Sequence, residues 1–189
     1  MAEKLVLKEF TCDNIIDDYR LLKMAVAELA EYHFKDMTPQ QLEREKRDLI
    51  QELKLDTVFK LLTKLEADIR QNYNTTIKKY QTTDGLSKEY LQLCEEFRRR
   101  TGEYNQPIAS ICKKVRLDDI LDTSRLYFKN LDRNFAKNCS VLTGYFTHIR
   151  HWYAHGRYFK RYHPTVIPDP EALGIIYHQF ETLVFARTK

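Results

Sequence analysis

Arg150, His151 and His155 are the residues whose types and spacing offer this chain the most chemistry. They stand in the segment YFTHIRHWYAHGRYFKRYH, residues 145–163, which holds four of the six histidines, the single tryptophan, several tyrosines and the further cations Arg157, Lys160 and Arg161. An imidazole gives and takes protons near neutral pH. A guanidinium carries a planar fork of donors that matches a phosphate, which a lysine ammonium lacks. Aromatic faces stack on unpaired bases, so cations interleaved with aromatic rings suit single-stranded nucleic acid. A structural reading competes: aromatic residues at helical spacing commonly build a core, and the charges beside them commonly form a solvated face.

Cleavage of RNA through its own 2′-hydroxyl needs a base to remove that proton, an acid to protonate the leaving 5′-oxygen, and positive charge on the phosphorane. His155 can serve as acid or base, each such role contributing about 10² to 10⁴ in rate. Arg150 would grip the scissile phosphate and stabilise its developing charge. Both have structural alternatives, since His155 suits a helix C-terminus and Arg150 can pair with an acidic residue elsewhere. A rival site comes from His148, His151 and His155, which share one helix face and could hold a divalent metal with an open position. No nearby carboxylate completes that set in sequence, and the arginine within it would repel a cation. The expectation is therefore a site with no metal and no cofactor.

The order Arg150-His151-Trp152-Tyr153-Ala154-His155-Gly156 is R-x4-H, with a polar residue directly after the arginine and glycine after the histidine. Here the chain resembles the HEPN superfamily, helical proteins that include RNA-cleaving toxins and antiviral defence nucleases. The resemblance implies an all-α helical bundle with short additional helices. It also implies a metal-independent endoribonuclease that assembles a composite site across a homodimer, with Arg150 and His155 catalytic and His151 orienting the site. Arg157, Tyr158, Lys160 and Arg161 are then the candidate RNA-binding residues, and an antitoxin or other regulatory protein is a possible partner. Some toxins of that superfamily carry a tyrosine two residues after the histidine, where the antitoxin modifies it. Here Arg157 occupies that place and Tyr158 follows, which puts that mode of control in doubt. The alternative from another class is a noncatalytic helical module that binds RNA or another protein.

The elements that must position these residues read as helices, because only five glycines and five prolines punctuate the chain. A first helix is expected from about Asn14 to Phe34, with Ile15, Tyr19, Leu22, Val26 and Leu29 on its inward stripe. Thr38-Pro39 reads as an N-cap followed by proline in the first turn, with Gln41 completing a capping box. The helix it starts is expected to break or kink near Asp56-Thr57, after which Val58, Leu62, Leu65, Ile69 and Tyr73 resume an apolar stripe. Ser87 would cap a helix reaching about Arg100. Shorter helices are expected over Ala109 to Val115 and Leu117 to Leu131. A cap at Asn138 to Ser140 would start a helix running from Val141 to about Ala154 and ending at Gly156. Asp169 and Pro170 should open a last helix with Leu173, Ile176, Tyr177, Phe180 and Val184 inward.

Composition bounds the rest. The 189 residues are 43% hydrophobic and 31% charged, which fits one folded domain spanning 1–189 rather than a disordered chain. The net charge of +4 hides an uneven distribution: no acidic residue lies between Asp132 and Asp169, where six cations fall, leaving about −2 for the remainder. Cys12, Cys94, Cys112 and Cys139 are scattered without a C-x-x-C pair, so neither a disulfide framework nor a zinc ribbon is suggested. The opening MAEKLVLKEF mixes charges into its apolar positions, and no apolar run reaches bilayer length. A cytoplasmic protein without membrane attachment is expected. The chain contains no G-x-x-x-x-G-K-[ST], G-x-G-x-x-G or G-x-S-x-G motif, so a phosphate-cradling nucleotide loop and a serine-hydrolase elbow are unsupported.

Overall fold

The computed structural model describes residues 10–29, 36–79, 85–150 and 166–188. All regular structure among them is helical, as the sequence led us to expect: α1 Cys12–Ala27, α2 Pro39–Lys79, α3 Gly85–Thr101, α4 Ile108–Ile111, α5 Leu117–Phe128, α6 Arg133–Tyr145 and α7 Pro170–Leu183. A 3₁₀ turn at Cys112–Lys114 follows α4, a π-helical turn at Phe146–Arg150 continues α6, and a second 3₁₀ turn at Phe185–Thr188 follows α7. No helix among the described residues is long and apolar enough to cross a membrane. The chain parts into two compact units, one within 1–64 and 165–175, the other within 65–164 and 176–189.

In the first unit, local chemistry sets the helix starts. The Thr11 hydroxyl accepts the Asn14 N–H and caps α1. At α2 the Thr38 N–H donates to Gln41 Oε1 (2.8 Å) while the Gln41 N–H donates to Thr38 Oγ1 (3.3 Å), the reciprocal box that the sequence predicts. Asp169 accepts the Ala172 N–H in front of Pro170, so α7 also opens where expected. The buried face of α1 is Cys12, Ile15, Ile16 and Tyr19. A side chain at Gly174 would bring a Cβ within 2.3 Å of Ile16 Cδ1, so α7 needs glycine at this close approach. Leu22, expected inward, is half exposed. Inward packing on α1 stops after Tyr19, and the next residues that periodicity places on that face are only partly covered.

Two expected boundaries are corrected. No break occurs near Asp56-Thr57, and α2 is continuous through it. The Thr57 hydroxyl donates to the Leu53 carbonyl (2.7 Å), spending its hydrogen inside the helix rather than on a cap. Nor do Asn138 to Ser140 start a helix: α6 begins at Arg133, where Asp132 Oδ1 accepts the Phe135 N–H (2.9 Å). Smaller shifts follow the same pattern. Ser87 lies buried within α3, which begins at Gly85, and the expected helices near 109 and 117 end earlier, at Ile111 and Phe128.

The second unit holds its core among α3, α5, α6 and the adjoining parts of α2 and α7. Leu65, Ile69 and Tyr73 form the buried stripe of α2 here, as their spacing predicts, and Ile77 extends it by another turn. Phe135 packs edgewise on Phe128 and tilted on Phe180, each with ring centroids 4.7 Å apart, and Tyr73 meets Tyr90 at 5.1 Å. Tyr177, Phe180 and Val184 are buried as expected, while Ile176 is only partly so. Gly102, with φ at +70°, ends α3 in the left-handed conformation that favours glycine.

Candidate functional site

Arg150 is placed by a sequence of local causes. The Asp132 cap starts α6, and Phe135, Ala136, Cys139 and Leu142 bury one face of it. Thr143 and Thr147 send their hydroxyl hydrogens back to the Cys139 and Thr143 carbonyls. From Phe146 the chain widens into a π-helical turn, a local change of phase that recurs at functional sites. Phe146 and Ile149 point inward, Thr147 and His148 are exposed, and Arg150, the last described residue of this stretch, has its side chain 38% exposed.

That arginine lines an open depression of about 360 Å³ in the second unit, together with Glu66 and Arg70 of α2, Arg116, Leu117 and Asp118 at the start of α5, and Phe146 and Thr147. Glu66 and Arg70, four residues apart on α2, lie next to its buried stripe, and the Glu66 side chain is only 14% exposed. Glu66 uses its two oxygens on two guanidiniums. Oε1 accepts from Arg70 Nε at 3.0 Å, and Oε2 lies 2.6 Å from Arg150 Nε. The second contact is an ion pair between two atoms sealed from solvent, without the angles of a directed hydrogen bond. Arg70 also donates through Nη1 to the Val115 carbonyl (3.2 Å), which ties it to the chain just before α5. On the far wall Arg116 Nη2 donates to Asp118 Oδ2 (2.9 Å) and remains largely exposed. Asp118 also sits in the first turn of α5, where a negative charge complements the helix dipole.

Three guanidiniums therefore share two carboxylates around one depression. Guanidinium has five N–H donors, and the pairings described use only part of that capacity, so the depression can receive an anion of phosphate size. The first unit's depression, about 240 Å³, differs: Asp18, Asp56, Asn14 and Tyr19 line it with several apolar residues, and its one cation, Lys60, pairs with Asp56 at 2.7 Å. It does not suit a polyanion.

Of the residues singled out in the sequence, the structure places Arg150 at this depression. His151 and His155, and the RNA-binding candidates Arg157, Tyr158, Lys160 and Arg161, lie outside the described residues. So do two of the three histidines of the rival metal set, leaving exposed His148 as its described member. Arg150 has the acidic partner that the sequence left open, but the sequence does not reveal that the partner is Glu66. Arg70 and Arg116 were likewise missed. The Glu66–Arg70 pair is legible as a helix-surface ion pair, yet no local signal connects it to the R-x4-H segment.

The thiols offer no nucleophile. All four cysteines are free and buried, and burial pushes Cys94 up to about 11 and Cys139 up to about 12, so they stay protonated at neutral pH. Among the described residues, no cluster of three metal-ligating side chains occurs. No family model matches the chain, and no curated protein or solved structure matches it either.

Proposed function

We propose that this protein is a metal-independent endoribonuclease of HEPN type, acting on single-stranded RNA as a homodimer. The observation that supports this reading is the partly exposed side chain of Arg150 on an arginine-lined depression, five residues ahead of His155 in the R-x4-H sequence. Arg150 would bind a non-bridging oxygen of the scissile phosphate. One His155 imidazole would take the 2′-hydroxyl proton as that oxygen attacks phosphorus. A second, supplied by the other subunit, would give a proton to the departing 5′-oxygen. The products are a 2′,3′-cyclic phosphate, open to later hydrolysis, and a 5′-hydroxyl. His151, next to Arg150, would orient the pair, and Arg157, Tyr158, Lys160 and Arg161 would carry flanking nucleotides. A toxin or antiviral defence role, with an antitoxin or regulatory protein as partner, is the setting that the HEPN resemblance suggests.

The Glu66–Arg150 contact favours a second reading, because it spends part of the arginine's charge inside the protein. On that reading the chain is a noncatalytic RNA-binding or protein-interaction module. Incubation of the purified protein with single-stranded RNA in EDTA separates the two. The nuclease reading expects cyclic-phosphate products, lost in His155→Ala with helicity and dimer size unchanged. Intact RNA across varied sequences, bound but uncut, supports the module, and activity that vanishes only on chelation restores the metal reading.

A further inference from the structure

The charges around the depression are arranged unevenly. Glu66 faces Arg150 through Nε, the edge of the guanidinium nearest its own chain, and the two contacting atoms are both sealed from solvent. Its other oxygen is fixed by Arg70, which is itself fastened to the Val115 carbonyl. A carboxylate meeting Arg150 end-on would occupy both of its terminal nitrogens with two parallel hydrogen bonds. Contact at Nε instead leaves Nη1 and Nη2 for a ligand, while the chain Val115, Arg70, Glu66 determines where the guanidinium sits. Arg116 approaches the same depression from the start of α5.

We propose that Glu66 is a positioning residue: it holds Arg150 by its Nε edge so that the terminal nitrogens face the depression, ready for one phosphate group of an RNA strand. This rests on the reading of Arg150 as the phosphate-binding group. Glu66 touches no substrate and acts through Arg150. Its charge opposes that of the ligand, so removing it has two effects of opposite sign. Anion binding in the ground state holds or tightens, because a nearby negative charge is gone. Turnover falls, because the arginine that must meet the developing charge is no longer held, and misplacement of about 1 Å can cost 10²-fold.

The variant that separates these effects is Glu66→Gln in the full chain, which keeps the side-chain size. For RNA cleavage we expect kcat to fall about 10- to 100-fold with KM unchanged or lower, and a 2′-deoxy oligonucleotide, which cannot be cut by this route, to bind at least as tightly as it does to the unmodified protein. Arg150→Lys supplies a cycle: if Glu66 acts through Arg150, the double variant is no slower than Arg150→Lys alone. An independent arm uses ¹⁵N-arginine-labelled protein. The Arg150 Nε–H resonance, assigned by its loss in Arg150→Lys, should persist at neutral pH because it is sealed from solvent beside the carboxylate, and should broaden in Glu66→Gln. Inorganic phosphate should shift it in the unmodified protein more than chloride does at equal ionic strength. If the unmodified protein cuts no RNA, the nuclease reading falls and this arm still decides the positioning role. A kcat that rises in Glu66→Gln overturns the proposal and makes the carboxylate a restraint. So does additive loss in the cycle, or an Nε–H signal that Glu66→Gln leaves unchanged.

Discussion

The aromatic interior of the second unit and the arginine-lined depression both draw on α2, α5 and α6, yet they treat polar groups in opposite ways. Inside, polar groups are few and shut away from solvent. Tyr90 and Ser124 lie 2.7 Å apart, and Ser124 donates onward to the Ile120 carbonyl, while the Tyr73 hydroxyl is sealed in without a hydrogen-bond partner among the described residues. At the depression three arginines divide two carboxylates, and exposed side chains keep donors in hand. One face of α2 turns Leu65, Ile69 and Tyr73 inward, while Glu66 and Arg70 next to it reach the charged region. The contrast teaches where stability and chemistry should separate: a change in the interior should unfold the protein, and a change at the depression should disarm it.

The sharpest test of that separation is loss of activity without loss of fold. On the proposed nuclease reading, a single-stranded RNA cleavage assay with EDTA should show His155→Ala lowering kcat by about 10² to 10⁴ and Arg150→Ala by about 10² to 10³. Thermal melts of both should stay near that of the unmodified protein, since Arg150 is half exposed and Glu66 keeps Arg70 as a partner. Phe135→Ala is the converse. Its ring is fully buried between Phe128 and Phe180, so truncation should cost about 3 to 5 kcal/mol in urea unfolding. A Phe135→Ala protein as stable as the original would erase the distinction between the two regions.

What the sequence made legible follows the range of the interactions involved. The box at Thr38 and Gln41 and the cap at Asp169 are written within four residues, and the structure contains both. The stripe from Val58 to Tyr73 is periodic and strong enough to place the core face of α2. Errors arose where a polar residue found a partner that spacing does not show. Asn138 has the side chain of a helix cap, but its amide donates to Gln179 Oε1 at 2.7 Å, and Asp132 caps the helix instead. At the site, R-x4-H drew attention to Arg150, whereas Glu66 and Arg116 are brought beside it only by packing of α2, α5 and α6. The π-helical turn that presents Arg150 carries no proline or glycine to announce it.

Alkaline pH probes the interior through its buried thiols. Burial raises the Cys139 thiol from an ordinary value near 9 up to about 12, and Cys94 up to about 11. An unfolded chain ionises these thiols first, so the stability they contribute is intact below pH 9 and is lost progressively as pH climbs through 9 towards 12. Each fully buried thiol should cost about 1 kcal/mol by pH 10. Melting curves recorded between pH 8 and 10.5 should therefore fall, and Cys139→Ala should flatten the slope. An identical slope in that variant would show that the thiol is not the titrating group.

The smallest expected effect concerns a single hydrogen bond. Ser124 has one hydroxyl hydrogen and gives it to the Ile120 carbonyl, so in the Tyr90–Ser124 contact the tyrosine is the donor. Tyr90→Phe then removes a donor and leaves a buried acceptor lone pair facing a ring edge, with the packing against Tyr73 kept. The cost should be about 1 kcal/mol in urea unfolding, and RNA cleavage should not change. Equal stability in Tyr90→Phe would mean that Ser124 finds its partners without the tyrosine. Reduced cleavage at full stability would mean that the interior and the depression are coupled through α5, whose buried face carries Ser124 and whose first turn carries Asp118.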